Sequence, residues 1–408
     1  MDNRISDSNG ETKLWPLLAG SSSMFLWGIV LFMSISVYKF VKIPSGLSYV
    51  YPIAAAFGLL TGNLLMGYIS DKIGRKLPFL ISIYFTGLGI IGAVFSADFL
   101  QLTIFVFVSN FFLGGDETVL ISYLYEKFRG KARSRYIVAV TNMANGGVFF
   151  SAFFLYAFPL TENGIREFLL VSSIIIVVIG IVSRHKISEN NRWDIWKSTP
   201  PTGTMRNRRI RETWNYNGNH FTVLADFEQL TTGTAIVTGF FLINIYFGDL
   251  YANQPYYVTL LTTSTGFIAG IILAIFVKQL PHRVIPLISF PLMAVLVLSA
   301  SIFSYFSVLP FALLIWILML RSFLSEIGWG SRDILQTELA FTPERGRHIS
   351  RIRAFSYSIL ILLYFVIYTM KPSLLIYLII ISVVEIMAAA GAILWYFRGV
   401  ETGEKDLS

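Results

Sequence analysis

Runs of about 20 apolar residues recur from Leu14 to Arg398, separated by short polar breaks. Each is long enough to cross about 30 Å of hydrocarbon as a helix rising 1.5 Å per residue. They leave little chain for anything else. The 408 residues are 55% hydrophobic and only 14% charged. That lies well outside the soluble balance of about a quarter charged, so a soluble globular fold is excluded. We read spans at roughly 14–38, 47–69, 77–96, 100–127, 136–158, 166–183, 230–250, 256–277, 284–306, 309–338, 350–370 and 373–397. The expected fold is all-α: twelve membrane helices in two six-helix halves.

The net charge of +8 reflects membrane topology rather than nucleic-acid binding. With Met1 inside, the outer connections carry only Lys39, Lys42, Arg166 and Lys371. The inner ones hold Lys72, Arg75, Lys76, the run Lys127 to Arg135, and the run Arg345 to Arg353. The positive-inside rule therefore places both termini in the cytoplasm, and a prokaryotic plasma membrane fits this bias. Met1 to Lys13 is polar and mixed in charge, unlike a cleavable signal peptide, so the first span is expected to stay. There are no cysteines, which excludes disulfides, thiolate metal sites and cysteine nucleophiles. His185, His220, His282 and His348 all fall in expected cytoplasmic loops, which argues against a buried histidine proton relay.

Three units follow: an N-terminal half at 1–183, a cytoplasmic linker at 184–229 and a C-terminal half at 230–408. The linker carries Trp193, Pro200, Pro201 and the basic run Arg206 to Arg211, which suits a solvated loop near anionic lipid. The halves echo each other, as internal repeats would. GNLLMGYISDKIGRKLPFL from Gly62 lies over GIILAIFVKQLPHRVIPLI from Gly270, aligning Asp71 with Gln279, Gly74 with His282 and Arg75 with Arg283. A clearer echo joins the fourth and tenth spans: Glu126, six residues, Arg133, and Glu338, six residues, Arg345.

The segment Gly67-Tyr68-Ile69-Ser70-Asp71-Lys72-Ile73-Gly74-Arg75-Lys76 lies between the second and third spans. Gly67 permits close helix approach, Asp71 suits a helix N-terminus, Gly74 permits a tight turn and Arg75 supplies a forked donor. This segment resembles the loop signature of the major facilitator superfamily. The paired Glu-six-Arg motifs resemble those of its sugar porters and their organic-solute relatives. The resemblance implies that the loop clamps the halves in one conformation. It also implies that Glu126 and Glu338, with Arg133 and Arg345, lock an outward-facing state through helix-end ion pairs. Helix-terminal salt bridges without a switching role are the alternative. The chain departs from sugar porters at two places. Ser21 to Ile35 carries no acidic residue, where those proteins usually have an aspartate, and their glutamine-rich pattern in the fifth and seventh spans is absent.

Ionisable groups near a helix centre cost at least about 2.5–3.5 kcal/mol, so each marks a pathway or a pair. The fourth span carries Asp116 and Glu117, the tenth Arg321, Glu326, Arg332 and Asp333, and the twelfth Glu385, for which we have no functional account. At about 100° per residue Asp116 and Glu117 point to different sides, so one acid is expected to face the cavity. We expect Asp116, with Glu117 second, to be a protonatable coupling site, because burial penalises a charged carboxyl and a change of access releases its proton. Permanent pairing of either acid with Arg321 or Arg332 is the alternative. Asn142, Asn145, Asn244, Arg321 and Glu326 are the expected cavity-lining groups, with Arg321 suited to an anionic solute.

No zinc spacing, nucleotide-binding glycine loop or catalytic triad appears in its required context, so no enzyme, metal or cofactor is expected. The expected function is monomeric alternating-access transport of a small organic solute, an organic acid or sugar-like metabolite, by proton symport. A facilitative uniporter and a non-transporting sensor of the same fold are the alternatives.

Overall fold

The computed structural model describes residues 13–36, 41–44, 46–130, 132–158, 160–189, 210–213, 215–248, 251, 255–340 and 344–403. Among these the chain is helical, with no strand. The first half contains α1 (Leu14–Ser36), α2 (Val50–Ile73), α3 (Lys76–Val94), α4 (Phe99–Lys127), α5 (Ala132–Thr141), α6 (Met143–Ala157) and α7 (Glu162–Lys186). Helices α5 and α6 form one span, interrupted at Asn142. The second half contains α8 (Gly218–Gly239), which passes into a π-helical segment (Phe240–Tyr246), then α9 (Pro255–Phe276) and a 3-10 turn (Val277–Gln279). Helices α10 (Val284–Tyr305), α11 (Phe311–Glu338), α12 (Arg345–Met370) and α13 (Leu374–Arg398) complete it.

Eleven spans among the described residues are long and apolar enough to cross a bilayer. The twelfth helix of the bundle is α8 with its π continuation. It falls short because its first turns carry His220, Asp226 and Glu228, so the apolar stretch begins only near Leu230. Helix ends also shift from the sequence reading. Helix α7 runs through Arg184 to Lys186, and α8 starts at Gly218, inside what was expected to be linker. The linker's Trp193, Pro200, Pro201 and most of its basic run lie outside the described residues.

Packing repeats between the halves. Helix α4 packs on α2 and α3, and α1 on α6 and α7; in the second half α11 packs on α9 and α10, and α8 on α12 and α13. Two seams join the halves, α2 against α12 and α6 against α9. Large apolar side chains such as Leu88, Ile175, Val295 and Phe397 project outward. That is the surface a bilayer covers, because lipid tails do not penalise exposed hydrocarbon as water does.

Candidate functional site

The ends of α2, α4, α7, α11 and α13 and the starts of α3, α5, α10 and α12 meet at one end of the bundle, called here the basic end. Gly74 turns the chain there with φ +99°, a left-handed conformation that favours glycine. The turn lets the Glu189 carboxylate accept the N–H groups of Arg75 and Lys76, both at 3.0 Å. Glu189 thereby caps the positive end of α3.

The Arg75 guanidinium, fully buried, donates to Asp71 at 2.6 Å, Ser70 at 2.9 Å and Glu126 at 3.1 Å. Glu126 in turn accepts Arg345 of the second half at 2.9 Å. Asp71 also crosses over, accepting the N–H groups of Gly346 at 3.0 Å and Arg347 at 2.8 Å. The helix N-terminus it serves is that of α12, not α3. Gly67 and Gly346 let these backbones touch: a Cβ on Gly67 would lie 2.7 Å from the Gly346 carbonyl oxygen. Gly67, Asp71, Arg75, Glu126 and Arg345 thus form one cluster spanning both halves.

Glu338 lies in a second cluster, where His282 Nδ1 meets its carboxylate at 2.9 Å and His282 Nε2 lies 3.5 Å from the Ser134 hydroxyl of the first half. Glu401 accepts the N–H groups of His282 at 2.8 Å and Arg283 at 3.3 Å. These bonds correct the first repeat alignment by one residue. His282, not Arg283, occupies the place of Arg75, and Glu401 that of Glu189. His282 sits in a turn as expected, yet it is buried and bonded to an acid. Arg133 donates to the Phe128 carbonyl at 3.1 Å, and its guanidinium and that of Arg345 cover Tyr125 at 4.0 and 4.2 Å.

Deeper in the bundle, Glu117 faces the second half. It pairs with Arg353 and lies 3.7 Å from Arg332, while Asp333 binds Arg332 at 3.1 Å and Arg353 at 3.0 Å. Asp116 points the other way, to Arg184 of α7 at 2.8 Å; Arg184 also bonds Ser23 and the Phe79 carbonyl. The two acids diverge as helix geometry requires, but the one facing the other half is Glu117. Arg321 pairs with Glu385 at 2.6 Å and donates to the Ala235 carbonyl at 3.2 Å, all inside the second half. The side-chain partners of Asp116 and Arg321 are therefore acid–base mates within their own halves.

Of the remaining expected cavity groups, Asn145 donates to Glu326 across the halves at 2.6 Å, and Asn142 donates to the Phe267 carbonyl at 2.9 Å. Asn244 accepts Ser322 at 2.6 Å. The rings of Trp27, Phe240 and Trp329 meet with centroids 5.7–5.9 Å apart. Sequence reasoning missed Glu189, Glu401, Arg184 and Arg353. The two arginines border apolar runs, where they count equally well as loop charges, and the two glutamates are single acids just past a helix end.

A two-half helical bundle whose halves are tied by buried ion pairs at one end defines the class: a membrane carrier. The chain belongs to the Major Facilitator Superfamily, whose family model matches residues 17–347. Among solved structures it is similar to one described as the proton:xylose symporter XylE bound to 6-bromo-6-deoxy-D-glucose. That match has a TM-score of 0.72 and 14% identity, covering 97% of this chain and 95% of the other. A structure described as the D-xylose-proton symporter matches with a TM-score of 0.65 at 14% identity, covering 96% and 97%. At such identities the likeness carries the fold. A relative described as putative metabolite transport protein YaaU of Escherichia coli (strain K12) is 28% identical over 136 residues. That stretch is 33% of this chain and spans only 30% of the relative's length.

Proposed function

We propose that the protein moves a small polar organic solute across the plasma membrane by alternating access, with a proton as co-substrate. The observation that carries this reading is the concentration, among the described residues, of buried, interlocked charges between the halves at one end: Asp71, Arg75, Glu126 and Arg345, backed by Glu117, Arg332, Asp333 and Arg353. Such a lock must break for that end to open, because each pair has a partner in the other half or is bridged to one. The halves then part around the level of Asn145, Glu326, Asn244 and the aromatic cluster, where the solute would sit.

Arg321 is neutralised by Glu385, which favours a neutral, sugar-like solute over an organic acid. Asp116 remains the proposed proton-coupling acid, with Glu117 second. Its partner Arg184 lies in the same half, so the pair can take up or release a proton without breaking the lock between halves. A basic end facing the cytoplasm completes the reading, by the charge bias of the loops. The test is uptake of labelled sugars, polyols and monocarboxylates into proteoliposomes with and without an inward proton gradient. Gradient-driven accumulation should fall to simple equilibration in Asp116→Asn. Accumulation that survives in both Asp116→Asn and Glu117→Gln overturns the coupling assignment, and equal uptake without a gradient identifies a uniporter.

A further inference from the structure

The two halves build a similar latch around two different basic side chains. In each, a turn between two helices presents two backbone N–H groups to a glutamate lying just past the half's last helix, Glu189 in the first and Glu401 in the second. In each, the first residue of that N–H pair reaches the glutamate at the end of the neighbouring long helix. In the first half that residue is Arg75 on Glu126; in the second it is His282 on Glu338. Arginine keeps its charge at every physiological pH, whereas imidazole titrates within that range.

We propose that His282 makes the second-half latch a proton switch, so that the open–closed balance of the basic end follows the pH on that side. In the closed state Glu338 is only 2% exposed, and a buried carboxylate is costly unless a cation accompanies it. Protonated His282 is that cation. It donates from Nδ1 to Glu338 and from Nε2 to Ser134 Oγ, tying α11 to α5 of the other half. Neutral His282 keeps the hydrogen bonds but leaves the Glu338 charge uncompensated, and opening relieves this by admitting water. Other charged groups here are Glu401, bonded to the His282 backbone, and Arg283, whose guanidinium lies 3.9 Å from Glu401 and 5.7 Å from the Tyr396 ring. On α5, Arg133 adjoins Ser134 and turns to Tyr125, and Lys278 lies on the 3-10 turn before His282. On α12, Arg345 donates to the Thr337 and Ala340 carbonyls on either side of Glu338 and pairs with Glu126. Among the described residues none of these groups replaces the imidazole on the Glu338 carboxylate.

The sign is fixed by linkage. The closed state binds the proton more tightly, so closure is favoured below the histidine range and lost as pH rises through it. The bias changes by up to about tenfold per pH unit for one proton. From the proposed function this takes only that the basic end opens and closes.

The chain has no cysteine, so Lys72→Cys with Gln279→Cys places two spin labels on the full-length protein without background. Distance distributions in nanodiscs between about pH 5.5 and about pH 8, the range over which an imidazole changes charge, read the closed fraction. The closed fraction should fall as pH rises. His282→Arg, which copies the first half, should stay closed throughout, and His282→Gln should be shifted open and flat. A wild-type profile that does not move, or a pH response that persists in His282→Arg, overturns the proposal. If no solute is transported yet the distances follow pH through His282, the carrier reading fails and the switch stands.

Discussion

At the scale of single residues, charge pairing decides what each buried group can do. Glu385 had no role in sequence terms; it is the counter-ion of Arg321 inside the second half. Removing one partner strands the other in a low-dielectric interior, which costs about 3–5 kcal/mol, whereas replacing both by apolar groups is often neutral. Glu385→Leu should therefore lower the melting temperature of the detergent-solubilised protein markedly, and Arg321→Met with Glu385→Leu should recover most of it. Transport should follow the melting data if the pair is structural, and only a transport loss in a stable double variant would restore a solute-binding role to Arg321. The acids and arginines of the spans were legible as unusual, and Arg332 as a partner for Glu117 with them; the mates Arg184, Arg353 and Glu385 were not. Helical angles separate Asp116 from Glu117 correctly but do not say which neighbour each side meets. Arg184 and Arg353 stand where an apolar run becomes a loop, so sequence alone assigns them to the charge bias instead of the interior.

At the scale of elements, the twelve-helix plan was readable because hydrocarbon thickness sets span length almost independently of side-chain detail. The joints were not. Asn142 interrupts the fifth span, and α8 turns π-helical from Phe240 to Tyr246, in runs that each read as a single span. The repeat alignment slipped by one residue for a related reason: matching glycines and arginines by identity cannot see that equivalence rests on backbone N–H groups facing a distant acid. Those caps give a local prediction. Losing a capping side chain costs about 0.5–2 kcal/mol at the helix end it serves. Glu401→Ala should speed hydrogen exchange at the amides of His282 and Arg283 by about 2-fold to 30-fold, and Glu189→Ala should do the same at Arg75 and Lys76. The interiors of α10 and α3 should keep their protection. Uniform loss along either helix would mean that the glutamate supports the whole span and not its first turn.

At the scale of the whole molecule, the halves are two similar bodies held at one end by charges and along two seams by close helix contact. Arg345 is the second-half tie on Glu126, which keeps Arg75 when Arg345 is gone. Arg345→Gln should preserve the fold of each half while freeing the basic end. Ser350, 2% exposed and set against Gly67 in the α2–α12 seam, reports this as Ser350→Cys. Its labelling by a water-soluble maleimide should rise by about 5-fold to 150-fold in the Arg345→Gln background, the range of an ordinary coupling energy. No change in labelling would show that the seam, and not the ion cluster, holds that end shut.

The aromatic contact at the centre of the bundle has a consequence of another kind. Trp27 belongs to the first half and Trp329 to the second, and their rings meet edge to face with centroids 5.9 Å apart. Two indoles at that separation share their electronic excitation, and the sharing fades steeply as they part. The near-ultraviolet circular dichroism of the unlabelled protein is thus an internal gauge of how far its halves have moved, available before any solute has been named.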